Sequence, residues 1–319
     1  LLTAEFLCPF LEIINLIIGK GDFKMSEKIL NQYIILKEYI SEKDYKEISQ
    51  LEEICNLNDK CNLKLELDYR LNMSRSSDIG LKTVNEFLYY VDETLVSYIN
   101  ISSFGGNISE IIGMTHPDWR RKGLFKKLFK LVINQCQNRN FNKILLLSNG
   151  KSNSGIEFIK SMGGNYDFSE YRMKRSDKTP IEIGNSIALR KSNKLDTKEI
   201  QKQNSIFFNL DRDDIENFID DDNITTYMIE FNGDIIGKIR IECNDNSSYI
   251  AGFGILPEFR GKGYGKAALK EAIHLINEKN IYDIELDVET KNANALNLYK
   301  ACGFEEKSIM NYYEYNIES

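Results

Sequence analysis

The chain has 319 residues, 42% hydrophobic and 28% charged, the balance of an ordinary globular protein, and its length predicts two domains rather than one. With only four prolines and 20 glycines, collagen-like and proline-rich linker classes are excluded, and a chain this long needs no disulfide or metal staple to fold. The net charge of −7 divides into −1 over residues 1–25, +3 over 26–180 and −9 over 181–319; this excludes a nucleic-acid footprint and favours a cationic ligand for the acidic half.

Residues Leu1–Lys24 are apolar but interrupted by Glu5, Glu12 and Asn15, which argues against a signal peptide and against a membrane span. Lys20-Gly21-Asp22 stands just before Met25 and can be encoded by AAAGGAGAT, a bacterial ribosome-binding sequence. The expectation is a natural start at Met25 with residues 1–24 as translated leader; the rival is an amphipathic helix on the first domain. The six cysteines (Cys8, Cys55, Cys61, Cys136, Cys243, Cys302) form no C-x-x-C pair and have only His116 and His274 beside them. Free thiols in a cytoplasmic protein without a metal site are therefore expected.

A shift of 140 residues superposes the chain on itself. IIGMTHPDWRRKGLF (111–125) falls on AGFGILPEFRGKGYG (251–265), matching Pro117 to Pro257, Arg120 to Arg260 and Gly123 to Gly263, and Gly163 falls on Gly303. One ungapped offset over some 50 residues signals two copies of one module. The first runs from Tyr33 to about Met173, and the boundary falls near Arg175–Ile181, which gives domains 25–178 and 179–319.

In the second copy a short strand (Ser186–Lys191) and a helix (Asp196–Phe208) come first, then a second short helix over Asp211–Asp222. Thr225–Phe231 and Ile235–Cys243 alternate as strands around Asn232-Gly233-Asp234, a strong hairpin signal. Strand Tyr249–Leu256, helix Gly263–Lys279, strand Ile281–Val288, helix Asn292–Cys302 and a tyrosine-rich final strand complete a mixed α/β unit.

Where the strand ending at Leu256 gives way to a helix stands Arg260-Gly261-Lys262-Gly263-Tyr264-Gly265. Glycines there allow a sharp turn and close approach of a ligand, and the free N–H groups of the helix start form an anion site with Lys262 and Lys266 at its rim. Glycines at such turns also serve geometry alone. Downstream lies Asn292-x-x-Ala295-x-x-Leu298-Tyr299-x-x-x-Gly303-Phe304. Turn and second motif together resemble the GCN5-related N-acetyltransferase (GNAT) family, over most of 186–316 and, through the repeat, most of 33–175. The resemblance implies a tandem form, as in mycothiol synthase, with each unit a mostly antiparallel twisted sheet flanked by helices and split between its central strands.

For function, the resemblance implies acetyl-CoA as co-substrate, its pyrophosphate held by Arg260 to Lys266. Its pantetheine arm would meet backbone near Ile255 and Leu256, with oxyanion-type polarisation of the thioester, and Asn292 would hydrogen-bond the arm. Tyr299 would protonate the departing thiolate, against a rival role as a packed aromatic. Asp287 is the candidate base, at the place of a glutamate in ribosomal-protein alanine acetyltransferases, with Glu289 and Glu242 as rivals.

The first copy departs from this pattern: Phe125 replaces Gly265, Ile159 replaces Tyr299 and Ser152 replaces Asn292. Its turn is more basic (Arg120, Arg121, Lys122, Lys126, Lys127), and His116 reads as a turn residue. The second copy is the expected catalytic one, the first structural or part of the acceptor pocket. Asp211–Asp222 carries seven acidic residues against one arginine, which suits a small cationic amine or an ordinary solvated helix, and Asn311–Tyr315 either lines the acceptor site or completes the last strand. The readings are a small-amine acetyltransferase, a protein N-terminal or lysine acetyltransferase, and an acetyl-CoA sensor. A monomer or homodimer without nucleic-acid or membrane partners is expected.

Overall fold

The computed structural model describes residues 30–72, 83–103, 107–179, 181, 187–208 and 223–316. The 1–24 leader and the Asp211–Asp222 helix of the sequence reading lie outside these residues.

The first half contains β1 (Gln32–Lys37), α1 (Glu42–Asp59), α2 (Leu67–Asn72), β2 (Glu86–Val91), β3 (Thr94–Ser102), β4 (Ile108–Thr115), α3 (Leu124–Asn138), β5 (Lys143–Asn149), α4 (Asn153–Ser161) and β6 (Asn165–Arg175). The second repeats the pattern with β7 (Ala188–Lys191), α5 (Thr197–Phe208), β8 (Ile224–Phe231), β9 (Asp234–Cys243), β10 (Ser247–Ile255), α6 (Tyr264–Glu278), β11 (Asp283–Glu289), α7 (Ala293–Lys300) and β12 (Glu305–Glu314). Each element has a local cause. Ser41 and Asp44 cap α1 reciprocally. Asn232 and Gly233 both adopt positive φ, 52° and 89°, as a two-residue hairpin turn requires. Asp92 and Glu93, 140 residues earlier, do the same at 44° and 66° without a glycine. Helix α6 buries Ala268, Leu269, Ala272, Ile273 and Ile276 against its sheet.

The twelve strands among the described residues form one sheet in the order β1-β2-β3-β4-β5-β12-β6-β11-β10-β9-β8-β7. Two junctions are parallel, and both stop short. β4 pairs β5 only from Ile108↔Lys143 to Ile111↔Leu146, and β10 pairs β11 only from Ser247↔Asp283 to Ile250↔Leu286. Beyond those pairs each half is split between its central strands.

The two halves exchange their last strands. β12 inserts between β5 and β6, and β6 pairs with β11 of the other half. Side chains follow the strands: Tyr313 of β12 is buried in the first half against Phe129, Leu146 and Ile159, while Met173 of β6 is fully buried in the core of the second. The tyrosine-rich tail thus completes a strand, but within the first half's sheet.

Candidate active site

The strand-to-helix turn is built by backbone conformation. Gly261 and Gly263 have φ of 74° and 85°, and a Cβ at either would meet nothing within 4 Å. Glycine is needed there for conformation, and the space in front stays open. Gly263 is also the N-cap of α6, with no side chain bonded to the first amides of the helix, so these donors and the helix dipole face the open space. Arg260 donates from Nε to the Ile255 carbonyl at 2.8 Å and closes the turn. Lys262 folds back to the Glu258 carbonyl at 3.1 Å, Lys266 is exposed, and the Tyr264 ring packs on Phe231 at 4.5 Å. The two-glycine turn with its uncapped helix fits a diphosphate.

Behind the turn, the ladder between β9 and β10 is irregular between Ala251 and Gly254. Gly252 has φ of 54° there, and its carbonyl accepts from Lys238 Nζ at 3.0 Å. A bulge next to a split frees backbone groups and re-aims them. Leu256 donates its amide to Ile236, so by strand alternation the Ile255 N–H points the other way, into the split. The Ile255 carbonyl is already committed to Arg260. Gly254 is held under Phe207, whose ring would lie 2.3 Å from an added Cβ. Gly265 lies against Leu298 of α7, 3.1 Å from where its Cβ would be, so α7 flanks the turn. On the same helix Tyr299 is 8% exposed, its ring meets Phe304 at 6.0 Å, and burial pushes its hydroxyl up to about 12. Among the described residues that hydroxyl has no hydrogen-bond partner. Asn292 caps α7, its Oδ1 accepting from the Ala295 amide at 3.1 Å.

A model of the Acetyltransferase (GNAT) family matches residues 51–163 and 195–304. The chain belongs to the GNAT family. It is 32% identical over 91 residues to an uncharacterised N-acetyltransferase of Methanocaldococcus jannaschii, a match covering 26% of this chain and 40% of that relative. In fold it is similar to a GCN5-related N-acetyltransferase from Sphaerobacter thermophilus, with TM-score 0.73 at 17% identity over 90% of this chain and 96% of that one. It is similar also to a tandem GNAT protein from the clavulanic acid biosynthesis pathway, with TM-score 0.60 at 10% identity over 91% and 100%.

Within this GNAT chain Asp287 sits in an ion-pair network. Arg172 of β6 holds it through Nε at 2.6 Å and Nη2 at 3.0 Å, and Lys64 Nζ approaches to 2.9 Å. Burial alone would raise its carboxyl, but Lys64 and Arg172 outweigh burial and hold it below the ordinary carboxylate range. The two cations thereby favour its ionised form. Around it Arg172 also reaches Glu285 at 3.3 Å and Glu66 at 3.2 Å, while Lys64 reaches Glu170 at 3.3 Å and the Tyr312 hydroxyl at 2.9 Å. The rivals differ: Glu289 is exposed at the end of β11, and Glu242 pairs with Arg240 at 2.9 Å. Replacing Asp287 with Asn is expected to destabilise the fold by about 2 kcal/mol, because it removes the carboxylate that Arg172 and Lys64 share and leaves them to Glu66, Glu285 and Glu170. Asp287 contributes stability above its unfolded value near 3.8, lost as pH falls through its lower folded value. Acid unfolding curves of the two proteins should therefore converge below that pH; a selective loss of turnover at unchanged stability would make Asp287 the base instead.

The first half has the same split without the bulge, since β3 and β4 pair without interruption from Ser97↔Thr115 to Ser102↔Glu110. Arg121, in the place of Gly261, adopts φ of 63°, a conformation that costs an L-residue about 1 kcal/mol. Ser152 caps α4 as Asn292 caps α7, and His116 caps its turn through the Asp118 amide. Phe125 meets Phe158 edge-on at 4.8 Å, yet a cavity of about 650 Å³ remains between Thr115, Arg121, Phe125 and Ser152. The first half is therefore an open cleft and not a filled copy. Sequence reading missed Lys64 and Arg172. Arg172 alternates with Tyr171 and Met173, which reads equally well as a solvated strand face.

Proposed function

We propose that the chain transfers the acetyl group of acetyl-CoA to a primary amine of a small cationic molecule, at the site in its second half (residues 179–319). The observation that carries this reading is the bulged β10 running into an uncapped two-glycine turn, a combination the first half lacks. Acetyl-CoA supplies an activated thioester when bound. The α6 amides with Gly261 and Gly263 bind its diphosphate, with Lys262 and Lys266 at the rim. The Ile255 N–H, aimed into the split, orients the arm and offers a donor to the thioester oxygen. Asn292 sets the position of α7 and so of Tyr299, which holds a proton at Oη that it can give to a departing thiolate.

A cationic acceptor is supported by the −9 charge of residues 181–319. The test is CoA-thiol release from acetyl-CoA with a polyamine, an aminoglycoside, free amino acids and short peptides as acceptors. Turnover with the polyamine or aminoglycoside is expected. Release with peptides alone would shift the reading to a protein acetyltransferase, and binding of acetyl-CoA without release for any acceptor would leave the sensor.

A further inference from the structure

Beside α1 lies a second cavity of about 630 Å³, lined among others by Glu52, Asn56, Lys60, Cys61, Lys151 and Lys307. Cys61 lines both cavities, and the Asn149 side chain, donating to the Asn62 carbonyl at 2.8 Å, ties the end of β5 to the chain after α1 between them. Its charged wall residues are Glu52, Glu53, Lys60, Lys151 and Lys307. Lys307 is paired with Glu285 at 2.5 Å. Among the described residues, however, Glu52, Lys60 and Lys151 make no ion pair. Opposite charges that line one cavity without neutralising each other are complementary to a ligand that bridges them.

We propose that this cavity binds a small zwitterion, an amine that also carries a carboxylate, with its ammonium donating to Glu52 and its carboxylate accepting from Lys60 and Lys151. The site is separate from the acetyl-transfer site of the second half and does not depend on that reading. Glu52 is suited to the ammonium because burial, with smaller contributions from Glu66 and Asp68, pushes its carboxyl up to about 7, partly offset by a hydrogen bond with Asn56. Tyr45 of α1 also lies in its field, and Glu53, Lys60, Lys151 and Lys307 line the same cavity. An incoming ammonium supplies the missing opposite charge and favours the ionised form. Binding near pH 7 therefore releases a proton held by Glu52.

The test is calorimetric titration of the full chain, without acetyl-CoA, with three probes: the dipeptide glycyl-L-alanine, spermidine and succinate. The dipeptide is expected to saturate, with a heat that differs between phosphate and Tris buffers at pH 7 because of the released proton. Glu52→Gln is expected to weaken it about tenfold, the scale of one charge-assisted contact, and to remove the buffer dependence. Lys151→Met should weaken it similarly while keeping that dependence. Both are read alongside an unchanged thermal midpoint, so that lost binding is not lost fold. Dipeptide binding unaffected by either substitution would overturn the proposal, as would saturation by spermidine or succinate alone, or no saturable heat from the dipeptide. Acetyl transfer plays no part in the readout, so failure here and failure of the proposed function are told apart.

Discussion

Replacing Tyr299 with Phe is expected to lower turnover about 10²-fold or more, the usual contribution of a positioned acid, while leaving acetyl-CoA affinity nearly unchanged. The substitution removes one oxygen from a side chain whose ring stays packed against Phe304. With its hydroxyl pushed up to about 12 by burial, Tyr299 remains protonated throughout the neutral range, and no described residue competes for that proton. The loss should therefore fall on kcat, with thermal stability unchanged within about 1 kcal/mol. Ile159 in the corresponding place of the first half shows that the packing alone can be met by an aliphatic side chain. Equal kcat for the two proteins, measured at saturating acceptor, would remove Tyr299 from the mechanism and return it to the core.

Deleting residues 305–316 is expected to unfold the first half of the molecule, although the deletion lies at the far end of the second. β12 supplies the neighbour of both β5 and β6. Without it the first half loses Tyr312 and Tyr313, which are 1% and 3% exposed. β5 would then become an open edge with an apolar face, a template for aggregation. The milder Tyr312→Ala is expected to cost about 4 kcal/mol from lost burial, beyond the hydrogen bonds its hydroxyl makes to Glu170 at 2.6 Å and with Lys64. Amide hydrogen exchange across β2 to β5 measures this directly. Retained protection of those strands in the truncated chain would mean that the first half folds alone.

The local architecture was legible because repeated patterns have repeated causes. Strand alternation on both sides of Asn232-Gly233, the glycines at 261 and 263, and the apolar stripe of α6 each follow from short-range stereochemistry, and the structure has each element within a few residues of its expected span. Asp92 and Glu93 carry the same turn as Asn232 and Gly233, but a glutamate at positive φ gives no sign of it.

The site was legible only in part. Its backbone half, the turn and the helix start, depends on glycines that a sequence displays. Its carboxylates depend on partners that a sequence does not. The pairing of Asp287 with Arg172, 115 residues away, and with Lys64 is one of these. Glu52 reads as an ordinary charge on a helix face until the chain after α1 and the β5–α4 junction close a cavity over it.

By itself the sequence determined two copies of one α/β module, the order of elements in each, and the turn that sets the second copy apart. These rest on periodicity and on backbone conformations that one residue type favours. Only the tertiary structure decided that the copies trade their last strands, that Asp287 is ion-paired across the seam and that the first half keeps an open cleft. Strand partners, ion pairs and cavities are set by which surfaces meet, and the alternation of β12 fits either sheet equally well. Burial of Tyr313 in one core and Met173 in the other selects the exchange.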